Sequence, residues 1–209
     1  LKYDWNPTDV ASLERMGRLV QDASRDVVLS ICTRARYEDA DTIKAWVNMW
    51  RNLPDTTDRW SCVLENAFLL ESARLENWRQ HVAAGSWHDL DMLALGPQFE
   101  SATTCCANKL SQDEQITAMT AWAVYPSPLI LSCDLSALSD FEARLFGNEE
   151  VIAVNQDALG EPSVRLRQER YQAMDTPQPH TDRHIWARPL ADGGFAVGFF
   201  NLSERPDEI

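Results

Sequence analysis

Asp4, Asp55, Asp89, Asp91 and Asp134 close, or directly follow, short apolar or β-branched runs, and Lys2, Cys32, Arg51 and Trp87 fall at similar places. Carboxylates gathered with cations are equipped for acid–base chemistry. Glycoside hydrolysis requires two acids in unlike surroundings: one attacks or activates water, and the other protonates the leaving oxygen. A neighbouring Lys2 or Arg51 would hold one acid ionised, while burial would raise the pKa of another. Any single Asp at a strand end serves equally well as a helix N-cap. These residues alone therefore imply an enzyme and leave the reaction open.

The elements that must position them alternate. LKYD ends at Asp4, DVVLSIC at Cys32 and VNMWRNLPD at Asp55; AAGSWHDLDML carries Asp91, and PLILSCDL contains Asp134. Helical patterns lie between them over 8–23, 40–46, 57–79 and 112–122, with SQDEQ (111–115) and PTD (7–9) as helix starts. Taken at Asp4, Cys32, Asp55, Asp91 and Asp134, the strand ends are 28, 23, 36 and 43 residues apart. A (β/α)8 barrel has about 30 residues per βα unit, and its active site lies at the C-terminal ends of the strands. Five units are present where a barrel needs eight. A further helix is expected over 140–147. From Val164 the pattern changes to strand-like runs, SVRLRQE, HIWARPL and GFAVGFFNLS, separated by turns with no helix between. That is the opening of an antiparallel β domain. The expected domains are a partial catalytic barrel over 1–160 and the beginning of a β domain over 161–209, with both ends looking cut.

Composition narrows the partners. Apolar residues make up 44% of the 209, enough for a core, and eight tryptophans suit a carbohydrate site as well as they suit a core. A net charge of −13 with no basic stripe argues against nucleic acid. No apolar run approaches the ~20 residues that span a bilayer, so no membrane partner is expected. The five cysteines have no disulfide or zinc spacing and are expected to be ordinary buried thiols; no metal and no organic cofactor is expected. The number of subunits stays open, a homo-oligomer included, and so does the compartment, whether secreted, periplasmic or cytoplasmic.

LKYDWN at 1–6 resembles the strand-four motif of family 27 glycoside hydrolases, the α-galactosidases and α-N-acetylgalactosaminidases. WRNLPD (50–55), GSWHDLDMLALG (85–96), QITAMTAWAVYPSPLILSCDL (115–135), VIAVNQDALG (151–160) and HIWARPL with FAVGFFN follow in the family's order. The resemblance implies an α/β fold: about strands four to eight of a TIM barrel, followed by the start of an antiparallel β-sandwich. It implies a retaining exo-glycosidase that removes terminal α-linked galactose, with Asp4 as nucleophile and Asp55 as acid/base. The two carboxyls would lie roughly 5–5.5 Å apart. Lys2, Arg51, Asp91 and Met92 would bind the sugar, with Trp87 and Asp89 in support.

Two departures carry expectations of their own. Cys32 and Ala35 stand where α-galactosidases carry a Glu and a larger residue, which opens room for a 2-acetamido sugar. An α-N-acetylgalactosaminidase, a β-L-arabinopyranosidase, an α-glucan-acting enzyme or a non-catalytic carbohydrate-binding fragment are the alternatives. Asn6 and Val47 replace cysteines of eukaryotic members, which points to a bacterial-type protein. Strands one to three would be missing, so these 209 residues alone are expected to be inactive and poorly soluble.

Overall fold

The computed structural model describes residues 1–4, 9–32, 37–69, 77–101, 104–170 and 182–203. Four short parallel strands form one sheet in sequence order: β1 (Lys2–Tyr3), β2 (Ser30–Cys32), β3 (Met49–Arg51) and β4 (Trp87–His88). Helical segments fill each gap: Val10–Gln21, then Ala40–Trp46, then Trp60–Val63 continuing as a π-helix over Leu64–Leu69. This is the βα alternation that the spacing predicts.

The first helix starts where Asp9 caps it, accepting the Ser12 N–H at 2.8 Å. Leu13, Met16 and Val20 recur at helical intervals and face a core with Leu29, Ile31, Ile43, Val47, Trp50 and Trp78. Gly17 allows the close approach, since a Cβ there would lie 2.7 Å from the Trp46 Cβ. Ile31 at the centre of β2 is fully buried and Leu29 just before the strand almost so, as expected of a parallel strand covered on its faces.

PLILSCDL does not become a fifth full strand. Leu131 makes a single parallel bridge to Leu93, through Leu93 N to Ile130 O at 2.8 Å and Ser132 N to Leu93 O at 3.2 Å. Pro126 and Pro128 have no N–H to extend the ladder upstream. Downstream, Asp134 accepts from Ser136 N–H and caps a 3-10 turn over Leu135–Ala137. The expected 57–79 helix is likewise shorter and irregular, and residues 70–76 lie outside the described set. Not expected were a hairpin of β5 (Gln98–Ser101) and β6 (Thr104–Cys106), a helix over Glu149–Asn155, and short 3-10 segments at Tyr37–Asp39 and Arg79–His81.

Ser111 opens the Gln112–Val124 helix with a reciprocal capping box to Glu114. That helix is buried along most of its length because both halves of the molecule pack on it. The antiparallel sheet of β7 (Val164–Arg170), β8 (Asp182–Pro189) and β9 (Phe195–Asn201) contributes Trp186, Phe200 and Leu202 to the cluster holding Phe68, Leu93, Trp122 and Tyr125. Arg188 of β8 is fully buried and fastens the sheet to two helix C-termini. Its Nε donates to Glu161 O at 2.9 Å, and Nη1 to Ala123 O at 3.0 Å, to Asn155 O at 3.3 Å and to Val154 O. A cation among carbonyls at helix C-termini is favoured by both hydrogen bonding and the helix dipoles.

Candidate active site

The site is built around Arg51, the last residue of β3, which is only 5% exposed. Cys32 is its register partner on β2, so their side chains leave the same face of the sheet. The sulfur accepts from Arg51 Nη2 at 2.7 Å and from Nε at 3.2 Å. Four residues further along, Asp55 returns to the guanidinium, with Oδ1 2.7 Å from Nη2. Asp91, beyond β4, takes Nη1 at 2.5 Å. Burial opposes the charge on Arg51. The Cys32 sulfur and the Asp91 and Asp55 carboxylates more than offset it, so the pKa is raised above the ordinary arginine value.

The two carboxylates on Arg51 differ in environment. The Asp55 side chain is 85% exposed, whereas Asp91 is 3% exposed. Asp91 also accepts the Thr56 N–H at 2.6 Å. Its backbone has φ +80°, the left-handed region that side-chain-bearing residues seldom adopt. Three contacts hold it there. Asp89 Oδ1 accepts the Asp91 N–H at 2.9 Å, Trp122 Nε1 donates to the Asp91 carbonyl at 2.8 Å, and Ser127 Oγ accepts the adjacent Leu90 N–H at 2.9 Å. Asp89 is buried, and that burial pushes its pKa up to about 6 despite the Asp91 N–H and the charges of Arg51 and Lys2. Asn66, also buried, pins the Asp55 loop by donating to Pro54 O at 3.1 Å and Thr56 Oγ1 at 2.7 Å.

On the other face His88 stacks on Trp50, with ring centroids 4.3 Å apart. Its Nε2 meets Asn52 Oδ1 at 2.8 Å and its Nδ1 meets the Tyr125 hydroxyl at 3.1 Å. Burial lowers its pKa to about 3, so the ring is neutral: Nε2–H donates to Asn52, and Nδ1 accepts from Tyr125. It braces the residue next to Arg51.

On β1, Lys2 Nζ lies 3.8 Å from Asp4 Oδ2, and both side chains are partly exposed. The structure thus joins Arg51, Cys32, Asp55 and Asp91 directly, with the Lys2–Asp4 pair at the end of the next strand but one. Met92 follows with an exposed side chain. Trp87 opens β4 rather than ending it, and its ring packs against the Leu29–Ile31 cluster and within 3.1 Å of a Cβ placed on Gly160. Asp134 caps its 3-10 turn and takes no part in the cluster. Ala35 lies outside the described residues. Cys32, Cys62 and Cys133 are half-buried rather than core thiols, and the contact with Arg51 makes Cys32 a site residue. Sequence reasoning missed Asn52, Thr56, Asn66, His88, Trp122 and Ser127. Most of them lie inside the motifs quoted above, but none has a residue type that announces its partner. Among the described residues, no group of three or more His, Cys, Asp or Glu is placed to hold a metal, and no helix is long and apolar enough to cross a membrane.

Parallel strands delivering a buried arginine and several carboxylates to their C-terminal ends, with a lysine on the first strand, define an α/β protein with an enzyme-like site. Residues 7–157 match the family described as Alpha galactosidase A, and the chain belongs to it. It is 28% identical over its whole length to Alpha-galactosidase 2 of Arabidopsis thaliana, covering 47% of that protein. It is 32% identical to human Alpha-galactosidase A over 78% of this chain and 33% of the human protein. The fold matches the crystal structure of a GH27 β-L-arabinopyranosidase from Geobacillus stearothermophilus with a TM-score of 0.81 and 26% identity, over 98% of this chain and 45% of that one. The chain spans half or less of the length of these relatives.

Proposed function

We propose that this chain carries the catalytic acids of a retaining glycosidase acting on terminal α-linked galactose. The observation that carries the reading is Arg51, shared between an exposed and a buried carboxylate, with the Lys2–Asp4 pair two strands away in the same parallel sheet. Asp4 is the nucleophile. Its carboxylate attacks the anomeric carbon as the glycosidic C–O bond breaks, and Asp55 gives its proton to the departing oxygen. Asp55 then takes a proton from water, which attacks the anomeric carbon and releases Asp4. Lys2, Arg51, Asp91 and Met92 bind the sugar, with Cys32 at the Arg51 edge. Residues 1–160 belong to the strand-four-to-eight part of a TIM barrel, and 161–209 begin a β-sandwich. The exposed Phe195, Val197 and Phe199 alternate along one face of β9, as an inner sandwich face requires.

A second reading, β-L-arabinopyranoside hydrolysis, is favoured by the similarity to the Geobacillus enzyme. That sugar presents the galactose ring stereochemistry without the hydroxymethyl group. The test is hydrolysis of aryl α-galactoside, aryl β-L-arabinopyranoside and aryl α-N-acetylgalactosaminide by the full-length protein, with Asp4→Asn as control. Preference for the first supports the proposal, and preference for either of the others reassigns the substrate. Turnover that persists in Asp4→Asn removes the assigned nucleophile. Sugar binding without turnover by the unsubstituted protein would make it a carbohydrate-binding protein.

A further inference from the structure

Arginine has five N–H donors in a planar fork, and its Nε/Nη2 edge is one of two that can match a carboxylate with two parallel bonds. In Arg51 that edge does not face a carboxylate. It faces one sulfur, with Nη2 at 2.7 Å and Nε at 3.2 Å from Cys32 Sγ. The donors left over reach two different acids on two different loops: Nη2 to Asp55 at 2.7 Å and Nη1 to Asp91 at 2.5 Å. A residue with no acceptor would leave the Nε–H, on an arginine that is 5% exposed, without its partner. The Cys32 sulfur is that partner. It is a weak acceptor that orients the fork without neutralising it.

We propose that Cys32 is a positioning residue whose sulfur fixes the Arg51 fork so that one guanidinium serves Asp55 and Asp91 together. The inference rests on the reading of Asp55 as acid/base, because that is the carboxylate whose placement it controls. Asp91 has a second anchor in the Thr56 N–H and keeps its place without Cys32. Among the described contacts of Asp55, Arg51 is the one that ties it to the buried part of the site.

The test uses the full-length protein with Cys32→Ser and Cys32→Ala. Two quantities are read: hydrogen exchange of the Arg51 Nε–H by ¹⁵N NMR, and kcat and KM on whichever aryl glycoside the unsubstituted protein cleaves. The serine hydroxyl accepts in place of sulfur, so Cys32→Ser keeps the Nε–H protected and retains most of kcat. Cys32→Ala loses the protection and lowers kcat by roughly ten- to a hundredfold with KM little changed, the size expected when a catalytic group is misplaced by about an ångström. Unchanged Nε–H exchange in Cys32→Ala, or an effect confined to KM, overturns the proposal and makes Cys32 a substrate contact or a packing residue. If Cys32→Ala does not fold, loss of protection in Cys32→Ser overturns it. Should the unsubstituted protein cleave no glycoside, the catalytic reading fails while the exchange measurement still decides the role of Cys32.

Discussion

Arg51→Met is the perturbation whose cost can be worked most directly from the structure. Methionine keeps most of the stem volume and removes the charge, leaving Asp91 as a carboxylate 3% exposed to water. Breaking a buried pair by deleting one partner costs about 3–5 kcal/mol. Asp91 retains the Thr56 N–H at 2.6 Å, which places this case toward the lower end, about 3 kcal/mol. The contacts to half-buried Cys32 and exposed Asp55 add little, because water can replace them. In the double variant Arg51→Met/Asp91→Asn the stranded charge is gone, and the amide oxygen still accepts from Thr56. Its loss should be about 1 kcal/mol, so the double variant is more stable than the single one by about 2 kcal/mol. Urea unfolding of the full-length protein, followed by tryptophan fluorescence and extrapolated linearly, gives both numbers. A loss below about 1 kcal/mol in Arg51→Met, or a double variant less stable than the single, would refute the reasoning that Arg51 compensates the buried charge of Asp91.

Other expectations follow from the same contacts. Arg188→Met strips the carbonyls of Glu161, Ala123 and Asn155 of their donor and should cost several kcal/mol, at about 1–3 for each buried acceptor left unmade; an unchanged urea midpoint would show that the apolar cluster alone docks the sheet. Ser111→Ala removes the reciprocal capping bonds and should cost about 1 kcal/mol in the same assay, and no loss would mean the helix is held wholly by its burial. His88 and Asp89 act oppositely on acid stability. His88, ordinarily near 6.5 and lowered to about 3, loses stability as pH falls between those values, because the unfolded chain binds the proton first. Asp89, ordinarily near 3.8 and raised to about 6, contributes stability that is full below the lower value and is lost as pH rises through the upper one. The two offset each other between about pH 4 and 6, so Asp89→Asn should steepen the acid loss there; unfolding midpoints that run parallel to those of the parent across this range would contradict it.

Much of this was legible in the sequence because local rules and global fold agree. The steps between strand ends, the caps at Asp9 and Ser111 and the change of period at Val164 each follow from local chemistry, and the structure has an element boundary near every one. Where the expectation failed, a local signal was outweighed. PLILSCDL has the composition of a strand, but prolines on one side and the Asp134 turn on the other leave it one bridge. The 98–106 hairpin lacks a strong alternating pattern, so its pairing could not be read before its partner was known.

The site divides in the same way. Arg51 and Asp55 are legible because both sit at one strand's end, four residues apart, and a sequence shows that spacing. Asp91 is legible as an acid but not as a strained one. Its φ of +80° depends on Asp89 two residues away, Trp122 thirty-one residues away and Arg51 on another strand, and only the first of these is a local relation. An aspartate with no such partners would relax into an ordinary extended or helical backbone, and its carboxylate would leave the guanidinium. The left-handed turn is therefore a consequence of the assembled site and not of the DLDML segment. This explains why sequence identifies the acid at position 91 and only the packed structure shows where its charge is held.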